Sequence, residues 1–243
     1  MSTVVRWPGD RTAVAAFVTD PGAVPAAVAS LGLPAPRPVL VMVGGAGGLT
    51  GSALAPVFTG LIAPAIRSLG AVAVDGGTDA GVMRLLGSAR AAGAPFPLVG
   101  VAALGTVTYP GHTGTNPHAA PLDRHHSHFV LAPGNTWGDE VPYMGAVAST
   151  LAGGCPSVTV LANGGDIALL DAEHSLAQRR PVLVLAGTGR SADKIAAAAS
   201  HPAGCRDERL ASLAGHPFVR IVDVTNHSEV AARLVELLSA PPA

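Results

Sequence analysis

Lysine is almost missing from this chain: Lys194 is the only one among 15 basic residues, against 16 acidic ones. Charged residues make up only 13% and the net charge is −1. No basic stripe exists, so binding to nucleic acid by phosphate neutralisation is excluded as an expectation. Aromatic residues are also few, at 4%. Two cysteines, Cys155 and Cys205, are too few for a disulfide framework and read as inert thiols in a reducing cytoplasm. The N-terminal residues MSTVVRWPGDR lack the apolar core of a signal peptide, which also points to a cytoplasmic protein. Charge is missing altogether from Pro38 to Ile66, but Gly44, Gly45, Gly60, Pro56 and Pro64 interrupt that stretch. A membrane-spanning helix wants about 20 uninterrupted apolar residues, so no membrane insertion is expected.

What the chain has instead is 49% hydrophobic residues, 30 glycines and 21 prolines over 243 residues. That is enough to bury a large core with many tight connections. Residues 1–37 read as an N-terminal hairpin, with Thr3–Arg6 against Thr12–Val18, and a proline-rich linker, both packed on the core. From residue 38 onward, apolar runs alternate with helical segments to residue 243. The strands are VLVMV, AVAV, LVGVA, HFVLA, SVTVL, VLVLA and VRIV. Unbroken apolar strands are buried on both faces. The expected fold is therefore α/β: a Rossmann-like, doubly wound, mostly parallel sheet flanked by helices on both faces, with ligands beyond the carboxyl ends of the strands. The helix expected over Thr50–Leu69 should kink at Pro56 or Pro64.

Gly-rich turns follow four of these strands. Gly44, Gly45, Ala46, Gly47 and Gly48 form a run of small residues after the first core strand, suited to a backbone nest for phosphate. It is neither a P-loop nor a dinucleotide fingerprint, because the Lys-Ser/Thr pair and the spacing are missing. Gly76, Gly77, Thr78 and Gly81 stand at the next strand end, where Thr78 or Asp79 could cap a helix. Gly164 and Gly165 follow a third strand. Gly187, Thr188, Gly189 and Arg190 follow a fourth, where glycine amides, a helix N-terminus and a guanidinium fork would suit a pyrophosphate. In Asn135, Thr136, Trp137, Gly138, Asp139 and Glu140, the acids either serve the helix dipole or let Glu140 face a ligand as an acceptor or acid/base group.

Two further segments bear on the site. His125, His126 and His128 have no cysteine or acid at ligand spacing, so they read as hydrogen-bonded structural groups rather than as a metal site. Leu104–Arg124 is too long for a simple connection and reads as a lid over the ligand, with Tyr109 stacking on its base.

The blocks VGGAGG, DGGTDAGVM, LDRHHSHFVLAPG, GDE, ANGG and PVLVLAGTGRSAD, in this order, resemble the SLOG domain at the cytosolic N-terminus of melastatin-type TRP channels. The resemblance is to its free-standing prokaryotic, LSDAT, version and spans about Val39 to Ala199. It implies a sensing or binding module for an NAD-derived nucleotide such as ADP-ribose, with no further cofactor required. Gly44–Gly48 and Gly76–Thr78 would then line the ligand and Gly187–Arg190 would hold phosphate. Asp193 would orient Arg190 or touch a ribose. Pro133–Glu140 is also similar to the PGGxGTxxE motif of the cytokinin-activating phosphoribohydrolases, with Glu140 in the place of the catalytic glutamate. Asn135 replaces the second glycine of that motif, and the hydrolases' arginine–lysine pair is missing. The alternative function is thus an N-glycosidic nucleotide hydrolase using Glu140. A small-molecule nucleotide is the expected partner, and a homo-oligomer is compatible with everything above.

Overall fold

The computed structural model describes residues 2–45, 47, 51–114 and 116–239, with backbone alone for 51–53. The chain begins with strands β1 (Ser2–Arg6) and β2 (Thr12–Phe17) and helix α1 (Val24–Ser30). It continues through β3 (Val39–Gly44), α2 (Gly51–Val57), α3 (Ala63–Ser68), β4 (Val72–Asp75), α4 (Gly81–Ala91) and β5 (Leu98–Ala103). Two short strands, β6 (Val107–Thr108) and β7 (Ala120–Pro121), precede β8 (His128–Ala132) and α5 (Val141–Ala152). The last part runs through β9 (Ser157–Ala162), α6 (Asp166–Ala177), β10 (Val182–Ala186) and α7 (Arg190–Ser200). Helix α8 (Glu208–Gly215), β11 (Val219–Asp223) and α9 (His227–Ser239) complete it.

Nine strands make one sheet in the order β1-β2-β8-β5-β4-β3-β9-β10-β11. All neighbours are parallel except the β1–β2 hairpin. The strands are apolar because both faces are covered. One core packs α1, α5, α6, α7 and α8 on Val39, Val41, Val74, Val101 and their row. The opposite core packs α2, α3, α4 and α9 on Leu40, Met42, Ala73 and Leu98. The expected doubly wound α/β architecture is the one observed. The hairpin belongs to this sheet: β2 lies parallel to β8, with Val14 opposite His128.

Between α2 and α3 the helix runs through a π-helical turn, Phe58–Ile62, with Pro56 inside α2 just before it. The Ala63 N–H reaches back to the Phe58 carbonyl, five residues away. Pro64 then sits in the first turn of α3, where its missing N–H does no harm. Where no helix covers β2 and β8, the segment after β5 does so. Val107 and Leu122 join Val5, Ala15 and Phe129 in a third apolar cluster, with Trp7 and Tyr109 packed on its edge.

Strand order fixes where a ligand can sit. From β3 the chain builds outward to β4, β5 and β8, then returns across the sheet through α5 to place β9 on the other side of β3. The switch point is therefore the crevice between the carboxyl ends of β3 and β9.

Candidate functional site

A cavity of about 430 Å³ opens at this switch point. That is within the range of about 300–1,000 Å³ typical of small-molecule sites. Gly44 at the end of β3 and Gly45 after it, Gly76 and Thr78 after β4, and Gly165 after β9 line it. Arg190 comes from the start of α7 and Glu140 from the start of α5. Seven of the expected site residues thus meet in one cavity. Ala46 and Gly48 lie outside the described residues.

The glycine after β3 is required by packing. A Cβ on Gly44 would lie 2.1 Å from the Ala162 carbonyl oxygen of β9, so only glycine lets the two strand ends close beside the cavity. Gly45 continues the turn, and its carbonyl accepts the Val82 N–H of α4 at 3.3 Å. This contact meets part of the first turn of α4, which has no side-chain cap. The cap expected from Thr78 or Asp79 is absent for a physical reason: Asp79 pairs with Arg84 at 2.6 Å, and Thr78 is buried at the cavity wall.

The Gly187–Arg190 turn works differently from its sequence reading. The Gly187 N–H donates to the Asp193 carboxylate at 2.7 Å. Thr188 is buried, accepts the Asn163 N–H at 2.7 Å and donates to the Leu185 carbonyl. The Ala192 N–H is taken by the Asn163 carbonyl at 2.9 Å. These bonds lock the β9 and β10 turns together, and Gly187, Thr188, Gly189 and Asp193 do not line the cavity. The turn delivers one group to it, the Arg190 guanidinium. Arg190 has φ 50°, and its guanidinium lies so close to Gly45 and Gly165 that a Cβ on either would stand 3.3 Å and 2.8 Å from it.

Helix α6 supplies the matching anion-binding wall. Its N-cap is Gly165, no side chain among the described residues caps it, and Gly165, Asp166, Ile167 and Ala168 all line the cavity. Its first N–H groups and the positive end of its dipole therefore face the same space as Arg190. Gly164 shapes the turn at φ 92° without lining the cavity.

The loop before α5 also departs from a simple cap. Asp139 accepts the N–H groups of Asn135 and Thr136, both at 3.0 Å, which holds its carboxyl below the usual range. Asn135 and Thr136 are exposed and stay outside the cavity. Glu140 points inward, 8% exposed, with Oε2 accepting the Gly138 N–H at 2.9 Å. Burial pushes its carboxyl up despite that bond. Trp137 stands at the cavity, 42% exposed.

The Leu104–Arg124 segment covers the sheet face and touches the cavity through Ala120. Tyr109 does not reach it. Its ring stacks on His112 with centroids 4.9 Å apart and packs on the cluster under the hairpin. Gly47, Gly77 and Gly81 likewise do not line the cavity. Gly77, at φ 71°, brings its backbone against Gly100, where a Cβ would sit 2.9 Å from the Gly100 Cα.

His126 has acidic partners that sequence spacing hid. It lies wholly buried with Nε2 2.7 Å from Asp75 Oδ1 and Nδ1 3.5 Å from Asp123 Oδ2. Burial opposes its charge, but Asp75 and Asp123 together raise it to about 9. Asp75 also accepts the Gly77 N–H at 2.7 Å, so the trio pins the β4 turn to the segment before β8. Among the described residues, no group of three or more His, Cys, Asp or Glu side chains is arranged to hold a metal ion.

The sequence reading left out several cavity residues, Trp137 and Asp166 among them, and the most consequential is Asp171 of α6, 8% exposed. A readable signal existed, because Asp171 falls on the same helical stripe as Ala168, Ala172 and Ser175, where a carboxylate is out of place.

No curated protein matches the chain. A family model described as SLOG in TRPM, prokaryote (LSDAT) matches residues 37–232, from just before β3 into α9. With strands β3 to β11, the switch-point cavity and the glycine turns all inside that span, the chain belongs to the prokaryotic SLOG-in-TRPM family.

Proposed function

We propose that the switch-point cavity binds an NAD-derived nucleotide such as ADP-ribose and that the protein serves as a binding or sensing module. The observation that carries this reading is the convergence of the Arg190 guanidinium, the uncapped N-terminus of α6 and the Gly44–Gly45 backbone on one wall. Two N–H sources and a planar cation suit a phosphate group. Met42, Met83, Met144 and Ile167 give the cavity an apolar side, and Trp137 adds an aromatic ring at its edge. Such a lining suits a planar base. Membership of the SLOG family supports a nucleotide-related module.

Calorimetric titration with ADP-ribose, NAD and AMP tests the reading. Expected are saturable binding, quenching of Trp137 fluorescence in a Trp7→Phe background, and recovery of unchanged nucleotide after long incubation. Failure to bind any of the three would overturn it.

A second reading, N-glycosidic hydrolysis, rests on Glu140. Its buried, raised carboxyl inside the cavity suits an acid/base group. Release of free base or nicotinamide in proportion to protein, abolished by Glu140→Gln with binding retained, would favour it over the sensor. The sensor is preferred because Glu140 already has a structural task, closing the Gly138 turn.

A further inference from the structure

The inner surface of α6 is built from Ala168, Leu169, Asp171, Ala172 and Ser175. An acid in that row should have a cation or a set of donors beside it, because a buried carboxylate without partners is costly. Among the described residues Asp171 has neither: Oδ1 is buried without a hydrogen-bond partner. The neighbours that could have served it are engaged elsewhere. Arg180 donates to the Gly145 carbonyl, Ser149 Oγ and Gln178 Oε1. His174 pairs with Gln178 and Ser175 with Thr159. What Asp171 does share is the cavity, with Glu140 nearby and the Arg190 wall completing the same space.

We propose that Asp171 and Glu140, facing the same cavity, form a donor–acceptor pair that holds the vicinal hydroxyls of a nucleotide ribose. The proposal rests on the nucleotide reading and deepens it. A ribose 5′-phosphate unit carries its anion and its diol on one rigid ring, and the cavity offers an anion-binding wall and an acid pair in one space. A diol both donates and accepts, which matches one protonated and one ionised carboxyl. Two like charges in one dry space cannot both ionise cheaply, so one proton stays. Asp171 keeps it: burial first, and then the negative charge of Glu140, push its carboxyl well up. Glu140 is better placed to ionise, because the Gly138 N–H donates to it.

The other groups facing the pair leave this assignment standing. Asp139, on the loop before α5, adds negative charge beside Glu140 and pushes its carboxyl up, as burial does. Asp166 and Arg190 lie at the cavity as exposed charges of opposite sign. His174 is pushed down by burial and by Arg180, so it is neutral near pH 7. Arg180, lowered to about 10 by burial, remains a cation there. Raising the pH removes the Asp171 proton, which removes the donor and adds repulsion, so ribose recognition weakens.

The test compares AMP with its 2′-deoxy counterpart by calorimetry at pH 6.5 to 9, on the wild type, Asp171→Asn and Asp171→Leu. The wild type should prefer AMP by roughly ten-fold or more, the worth of one hydrogen bond. Asp171→Leu should lose most of that preference, since Glu140 alone remains to hold the diol. Asp171→Asn, which keeps an N–H donor, should retain a preference that no longer fades as the pH rises. The unliganded Asp171→Asn protein should also unfold at a higher temperature than the wild type at pH 8, because an unpaired acid is gone. Equal binding of both nucleotides by the wild type, an undiminished preference in Asp171→Leu, or a lowered midpoint in Asp171→Asn would overturn the pair while leaving the nucleotide reading intact. No binding of AMP, 2′-deoxy-AMP or ADP-ribose by the wild type would overturn both.

Discussion

Arg190 sits in a left-handed backbone conformation, φ 50°, that a residue with a side chain rarely holds. Such strain persists where the surroundings over-determine it, and here the side chain reaches the cavity. Strain and function can be separated by substitution. Arg190→Ala should cost about 1.5–3 kcal/mol of affinity for ADP-ribose, the range for a charge-assisted hydrogen bond. Arg190→Lys should rescue only part, because the planar fork is lost. Arg190→Gly should bind as poorly as Arg190→Ala yet be about 1 kcal/mol more stable, because glycine accepts the positive φ freely. Calorimetry and urea unfolding of the three variants give both readouts, and full affinity in Arg190→Ala would remove the guanidinium from the site.

The same scale shows how legibility varies. Arg190 and Gly165 were readable because glycines beside a basic residue at a strand end have few other uses. Tyr109 was misleading because a sequence shows that an aromatic lies in a long segment, not which neighbour it stacks on; His112 is that neighbour. Asp171 was passed over because an acid in a helix ordinarily faces water.

Among elements, α4 meets the segment before β8 with no room for a side chain at Gly87. A Cβ on Gly87 would fall 1.8 Å from Asp123 Oδ2. Gly87→Ala must push Asp123 away from His126 and should destabilise by about 1–3 kcal/mol, the range for overpacking, despite alanine's better helix propensity. His126 itself gives a pH signature. Its folded value of about 9 lies above the ordinary 6.5, so its contribution is complete below 6.5 and is lost as the pH rises through about 9. Urea unfolding between pH 6 and 10 should show stability falling across that window by roughly 3 kcal/mol. A flat profile would mean that the imidazole is neutral between its two acids. Strands β3, β4, β5, β8, β9, β10 and β11 were legible as apolar runs. Their order was not, since β3, β4, β5, β8, β9 and β10 all present the same buried character on both faces, and only β11, with Arg220 exposed, reads as an edge.

For the molecule as a whole, a ligand that binds only the folded state raises stability by mass action. At 100 times its dissociation constant the gain is about 2.7 kcal/mol. At this chain length that corresponds to a midpoint rise of roughly 5–10 °C. Thermal unfolding with a nucleotide panel therefore ranks ligands directly, and inorganic phosphate alone should give a smaller rise through the Arg190 wall. The doubly wound class was readable from strand–helix alternation. The cavity's place was readable only as "beyond the strand ends", because the switch between β3 and β9 depends on pairings that lie far apart in the chain.

The N-terminal hairpin carries a consequence for how the chain reaches this state. Val14 finds His128 across most of an intervening half-domain, while β1 and β2 meet through a short turn. Contacts of such long sequence separation are slow to form, since loop closure must precede their reward. Until β2 arrives, β8 presents a bare row of N–H and C=O groups and an uncovered Phe129, an adhesive edge of the kind that recruits other chains. Removing residues 1–18 should therefore yield a protein that still gains its central strands but self-associates through β8, visible as concentration-dependent light scattering during refolding. Supplying the missing hairpin as a separate peptide should suppress that scattering, the behaviour of a strand that works as a built-in chaperone for its own sheet.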